Sequence, residues 1–221
     1  MENSAIIKAM YKTGVVPLFT HEDPQEAFNI IRTAYNAGVR VFEMTNRRKN
    51  SFEVFSALVK RKNELPGLAL GIGTVMDAPT TERFIDAGAD FIISPIMNPA
   101  TAEVCQTHDK LWMPGCATPT EIVTAKHHGA EVIKLFPGAV LGPGFVSALL
   151  PVVPDLKLMI TGGVEPTVES IGSWFKAGAF CVGMGSHLFP SDMLGKKDWS
   201  SIEARIANTL AIVRQFRKPE A

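Results

Sequence analysis

Four short tetrads punctuate the chain: Gly38-Val39-Arg40-Val41, Gly88-Ala89-Asp90-Phe91, Gly129-Ala130-Glu131-Val132 and Gly178-Ala179-Phe180-Cys181. Each follows an amphipathic stretch and opens a β-rich run. The pattern describes a helix ended by a glycine in the left-handed conformation, with immediate entry into a strand. The tetrads lie 50, 41 and 49 residues apart, and each interval has room for two strand–helix units. Eight units are therefore expected, with strands near 15–19, 39–45, 68–75, 91–95, 111–116, 132–136, 157–163 and 180–185.

Helix starts support the alternation. Asp23-Pro24, Asn98-Pro99 and Thr118-Pro119 each put a capping side chain before a proline at the first helical position. Thr118 with Glu121 and Ser200 with Glu203 have capping-box spacing. Strands alternating with helices pair in parallel. Eight units of about 28 residues make a compact (β/α)8 barrel. An open doubly wound sheet is the runner-up, but no GxGxxG follows the first strand. The expectation is a single TIM-barrel domain over 1–221, an α/β fold. An N-terminal helix spans about 3–12, and a closing helix about 200–216 carries the apolar stripe Ile202, Ile206, Leu210, Val213 and Phe216.

Composition narrows the function classes. The 221 residues hold 22 basic and 22 acidic side chains, a formal charge of zero, with 46% hydrophobic residues. That balance excludes a disordered chain and removes the electrostatic case for nucleic acid or an anionic membrane as main partner. Three widely spaced cysteines without metal spacing read as reduced core thiols in a cytoplasmic protein. The N-terminus lacks the pattern of a signal peptide. The uncharged run from Leu135 to Pro154 is interrupted by prolines and glycines that would break a lipid-exposed helix. The five histidines, His21, His108, His127, His128 and His187, show no metal or triad pattern.

Chemistry concentrates at strand ends, where barrel enzymes build their sites. Alternation in Val41-Phe42-Glu43-Met44-Thr45-Asn46-Arg47 puts Glu43, Thr45 and Arg47 on the barrel side. Glu43 suits a general base and Arg47 a carboxylate clamp, although the two could equally satisfy one another as a structural pair. Lys134 interrupts the apolar strand Val132–Phe136. A closed barrel has no edge from which its ammonium could reach solvent, and burial favours the neutral amine, the nucleophilic form. Thr161-Gly162-Gly163 and Gly183-Met184-Gly185-Ser186 close the seventh and eighth strands. These are the loops that form the common phosphate site of the fold. Thr74 ends the third strand behind Gly71 and Gly73, and is readable either as a site hydroxyl or as a satisfied β-former.

Taken together, Phe42–Arg47, Gly71–Val75, Pro114-Gly115 with Thr118–Glu121, Ile133–Pro137 and Thr161–Gly163 resemble the bacterial 2-keto-3-deoxy-6-phosphogluconate / 4-hydroxy-2-oxoglutarate aldolases. The resemblance implies a class I aldolase in which Lys134 forms the Schiff base and Glu43 is the general acid/base. It implies that Arg47, Thr74 and Thr161 hold the pyruvyl carboxylate end, and that Gly162, Gly163, Gly185 and Ser186 bind phosphate. It also implies a homotrimer without metal or organic cofactor, acting on a small-molecule keto acid or sugar phosphate. Asn46, Ile96 and Gly138 depart from residues common in the family. They flank the aldehyde half of the pocket, so they bear on substrate identity and not on reaction type. A sugar-phosphate isomerase or epimerase without a covalent step, and an inactive barrel that binds a phosphorylated metabolite, are the alternatives.

Overall fold

In the computed structural model, residues 1–217 are described, so the last four residues of the expected 1–221 unit lie outside the described residues. The chain opens with α1 (Asn3–Thr13) and then alternates: β1 (Val15–Phe19), α2 (Pro24–Asn36), β2 (Val41–Thr45), α3 (Ser51–Lys60) and β3 (Ala69–Gly73). Next come α4 (Ala78–Asp86), β4 (Phe91–Ile93), α5 (Pro99–Thr107), β5 (Leu111–Met113), β6 (Gly115–Cys116), α6 (Pro119–His127), β7 (Ile133–Leu135) and α7 (Gly138–Leu149). The remainder is β8 (Leu158–Thr161), α8 (Val168–Ala177), β9 (Cys181–Met184), the short α9 (Ser191–Gly195) and α10 (Trp199–Gln215).

All strand pairs are parallel, in the order β5-β4-β3-β2-β1-β9-β8-β7-β6. β5 and β6 are one stretch of chain broken at Pro114, which has no N–H to give to the ladder. Its carbonyl still accepts from Lys134 N–H at 2.9 Å. The two pieces fill one position, so eight strand positions ring a (β/α)8 barrel. The expected single fifth strand over 111–116 is corrected to this split pair.

The four tetrad glycines all have positive φ, between 80° and 110°. Asp23, Asn98 and Thr118 cap α2, α5 and α6, and Thr118 with Glu121 completes a capping box. The box expected at Ser200 does not form. α10 begins one residue earlier, and Asp198 takes the cap by accepting from Ser201 N–H at 3.1 Å.

Two apolar layers result. Between strands and helices lie outward side chains such as Phe42, Met44, Leu70, Ile92, Ile133 and Val182. Inside the barrel lie Val16, Val41, Ala69, Phe91, Val132 and Met159, plugged from below by Ile6, Ile7 and Met10 of α1. Gly71 makes room there, because a Cβ on it would stand 2.2 Å from the Phe91 ring. The lower barrel is filled by hydrocarbon, and the inward polar side chains Glu43 and Lys134 lie above it, toward the C-terminal mouth. Cys105, Cys116 and Cys181 are buried free thiols, each pushed up to about 12 by burial. Among the described residues no helix is long and apolar enough to cross a membrane.

Candidate active site

Along β2, Val41 points into the apolar plug and Glu43, two residues on, takes the next inward position. Glu43 is completely buried, and neither carboxylate oxygen has a hydrogen-bond partner among the described residues. Its neighbour on β3 is built to admit it: a Cβ on Gly73 would fall 1.6 Å from Glu43 Oε1. Burial raises the Glu43 pKa above the ordinary glutamate value, while Lys134 and then Arg47 pull it back.

On β7 the inward positions run Val132, Lys134, Phe136. Lys134 is buried, and its Nζ stands 3.9 Å from Glu43 Oε1 and 5.3 Å from the Phe136 ring centroid. At 3.9 Å the amine and carboxylate are close enough for electrostatic coupling yet too far apart for a tight hydrogen bond. Both groups can therefore reach the same reacting atom placed above them.

Above this pair the chain turns outward. Arg47 Nε donates to Thr74 Oγ1 at 3.3 Å. Thr74 has φ of 61°, a left-handed value that a β-branched residue rarely adopts. Its hydroxyl accepts from the guanidinium in this conformation. Thr161 ends β8 buried, with Oγ1 unpartnered among the described residues, and Gly183 of β9 leaves it space. Gly162 and Gly163 follow with φ of 90° and 74°. The departure at Gly138 has a steric reason, since a Cβ there would lie 2.7 Å from the Gly162 carbonyl oxygen. Asn46 donates its backbone N–H to Gly73 O at 2.8 Å, and Ile96 is exposed at the end of β4.

An open cavity of about 420 Å3 occupies the mouth. Its walls include Arg47, Thr161, Gly162, Gly163, Gly185 and Ser186. Lys134, Glu43 and Thr74 are not in that wall. Lys134 and Glu43 lie one inward step deeper than Phe136 and Thr45, which do line it. The structure thus places the candidate residues at one barrel mouth, with the amine and carboxylate beneath and the glycine loops along one side. Sequence reasoning did not single out Thr20, Arg48 and Phe136 as site residues, and it set His187 aside. All four line the cavity. Thr20 follows β1 directly, so the strand-end rule that found Thr74 could have found it. Among the described residues no group of three or more His, Cys, Asp or Glu is placed to hold a metal.

The family model described as KDPG and KHG aldolase matches residues 6–205. The 2-dehydro-3-deoxy-phosphogluconate aldolase of Treponema pallidum is 29% identical over 209 residues, covering 94% of this chain and 97% of that protein. The probable 2-dehydro-3-deoxy-6-phosphogalactonate aldolase of Rhizobium meliloti is 31% identical over 171 residues, 77% of this chain and 79% of the relative. The 2-keto-3-deoxy-6-phosphogluconate aldolase of Zymomonas mobilis ZM4, solved with 3-phosphoglycerate, superposes with TM-score 0.80 at 26% identity. It covers 94% of this chain and 95% of its own. The chain belongs to the KDPG and KHG aldolase family.

Proposed function

We propose that the protein is a class I aldolase that cleaves a 2-keto-3-deoxy-6-phospho sugar acid to pyruvate and glyceraldehyde 3-phosphate. The observation that carries this reading is the buried Lys134–Glu43 pair, 3.9 Å apart at the floor of an open polar mouth. The names of its relatives support the substrate class, and 4-hydroxy-2-oxoglutarate is a second candidate substrate.

In this reading the Lys134 amine adds to the C2 ketone and forms a carbinolamine, which loses water to give a protonated imine. Glu43 removes the proton of the C4 hydroxyl. The C3–C4 bond breaks, its electron pair flows into the imine, and C4 leaves as the aldehyde. The enamine that remains takes a proton at C3 from Glu43, and hydrolysis releases pyruvate and the free lysine. The two unpartnered oxygens of Glu43 are free to take up the substrate hydroxyl or a reacting water.

Arg47, with Thr74 fixed against it, holds the carboxylate in line with the breaking bond, and the Thr161 hydroxyl faces the same end. Backbone N–H groups around Gly162, Gly163 and Gly185, with the Ser186 hydroxyl, take the terminal phosphate. The reading includes a homotrimer acting in the cytoplasm, to be measured by light scattering and by fractionation. Its direct test is pyruvate release from 2-keto-3-deoxy-6-phosphogluconate. An isomerase or epimerase would convert a sugar phosphate without releasing pyruvate, and an inactive barrel would bind without turnover.

A further inference from the structure

Arg47 and Arg48 are adjacent in sequence and line the same cavity, yet they engage opposite sides of it. Arg47 reaches Thr74 after β3. Arg48 instead reaches toward β1: its Nη1 stands 3.4 Å from Oε1 of Glu22, in the loop between β1 and α2. In the ring β1 lies between β2 and β9, and β8 follows β9. The side of the mouth that Arg48 faces is therefore the side carrying Gly185 and Ser186, with Gly162 and Gly163 beyond.

Both backbones are held by hydrogen bonds, while the side chains form an exposed pair with each other. Arg48 N–H donates to Ser51 Oγ at 3.0 Å, and the Glu22 carbonyl accepts from Asn50 Nδ2 at 2.8 Å. The side chains are 53% and 66% exposed. An exposed pair at that separation contributes little and exchanges readily. Among the described residues, the cavity wall contains two arginines and His187 but no Asp or Glu. At the rim the carboxylate that competes for Arg48 is Glu22, whereas Glu43 lies beneath the cavity beside Lys134.

We propose that Arg48 is a specificity-determining residue that gives up Glu22 and clamps the terminal phosphate monoester of the substrate. The proposal rests on the aldolase reading and extends it to residues outside the glycine loops. The two adjacent arginines then divide a doubly anionic substrate, Arg47 taking the carboxylate and Arg48 the phosphate. Phosphate recognised by a guanidinium fork is held more strongly than the exposed carboxylate it displaces. Glu22 acts as a competitor for the Arg48 guanidinium.

Steady-state kinetics test this with 2-keto-3-deoxy-6-phosphogluconate and its unphosphorylated counterpart, in wild type, Arg48→Ala, Glu22→Gln and the double variant. Arg48→Ala is expected to raise KM for the phosphorylated substrate about tenfold or more, with a smaller change in kcat, so that the preference for phosphate falls. Glu22→Gln is expected to lower that KM about two- to fivefold, and only when Arg48 is present. Equal effects on both substrates, or a Glu22→Gln effect that persists without Arg48, would overturn the proposal. The Glu22→Gln arm stands even if Arg48→Ala folds poorly. Wild-type protein that releases no pyruvate from either substrate would instead overturn the aldolase reading beneath it.

Discussion

Lys134 Nζ and Glu43 Oε1 lie 3.9 Å apart on β7 and β2, both side chains buried. Arg47, just beyond the end of β2, also draws the Glu43 pKa down. The pairing brings a latent nucleophile and a proton carrier to one point while leaving the carboxylate without a hydrogen-bond partner. Substituting the lysine separates chemistry from folding. Lys134→Met keeps the volume and apolar contacts, so the barrel is expected to persist by circular dichroism while pyruvate release falls at least about 1000-fold.

Glu43 predicts two opposite pH trends. As the base it must be ionised, and its pKa is raised, so the acidic limb of kcat/KM is expected above the usual glutamate range. Activity is lost as pH falls through that value. For stability the sign reverses: a carboxyl that holds its proton more tightly when folded favours the fold at low pH, and that contribution is lost as pH rises through the raised pKa. Thermal melts of Glu43→Gln and wild type are therefore expected to diverge as pH rises, with the variant gaining relative stability. A constant gap across pH would contradict the desolvated carboxyl.

Gly73 tests positioning without touching a reacting group. Its missing Cβ is the space that Glu43 Oε1 occupies. Gly73→Ala must push the carboxylate aside, and displacement by about an ångström costs on the order of 100-fold in kcat/KM. Glu43→Asp in the same background, with its shorter reach, is expected to recover part of the loss; no recovery would point to a wider change in the barrel.

Thr161 carries a buried hydroxyl with no partner among the described residues, and an unpaired buried hydroxyl costs stability. Thr161→Val removes the orphaned hydroxyl at nearly constant shape. The melting temperature is expected to hold or rise, while KM for the substrate rises about tenfold. A fall in stability with unchanged KM would show that the hydroxyl serves the fold.

Arg47→Lys keeps the charge and removes the fork. KM for the keto acid is expected to rise about tenfold, with little change in melting temperature.

The sequence carried the barrel clearly where one residue had one physical meaning. Gly38, Gly88, Gly129 and Gly178 were visible because a left-handed helix end selects glycine. Glu43 and Lys134 stood out because a charge inside an apolar strand needs a reason. Features that depend on a neighbouring strand or loop left no such trace. The space Gly73 yields to Glu43 and the turn of Arg48 toward Glu22 are relations between separate segments. The left-handed Thr74 runs against the habit of a β-branched residue, so local propensity hid it. At α10 the cap passed to Asp198 because the helix starts one residue before Ser200, a shift within the usual uncertainty of helix ends.

Borohydride reduction in the presence of pyruvate tests the covalent imine at Lys134 most directly. The predicted result is irreversible inactivation with a reduced pyruvyl adduct mapped by peptide mass spectrometry to Lys134, and no adduct in Lys134→Met. Full activity after reduction, or an adduct on another lysine, would contradict it.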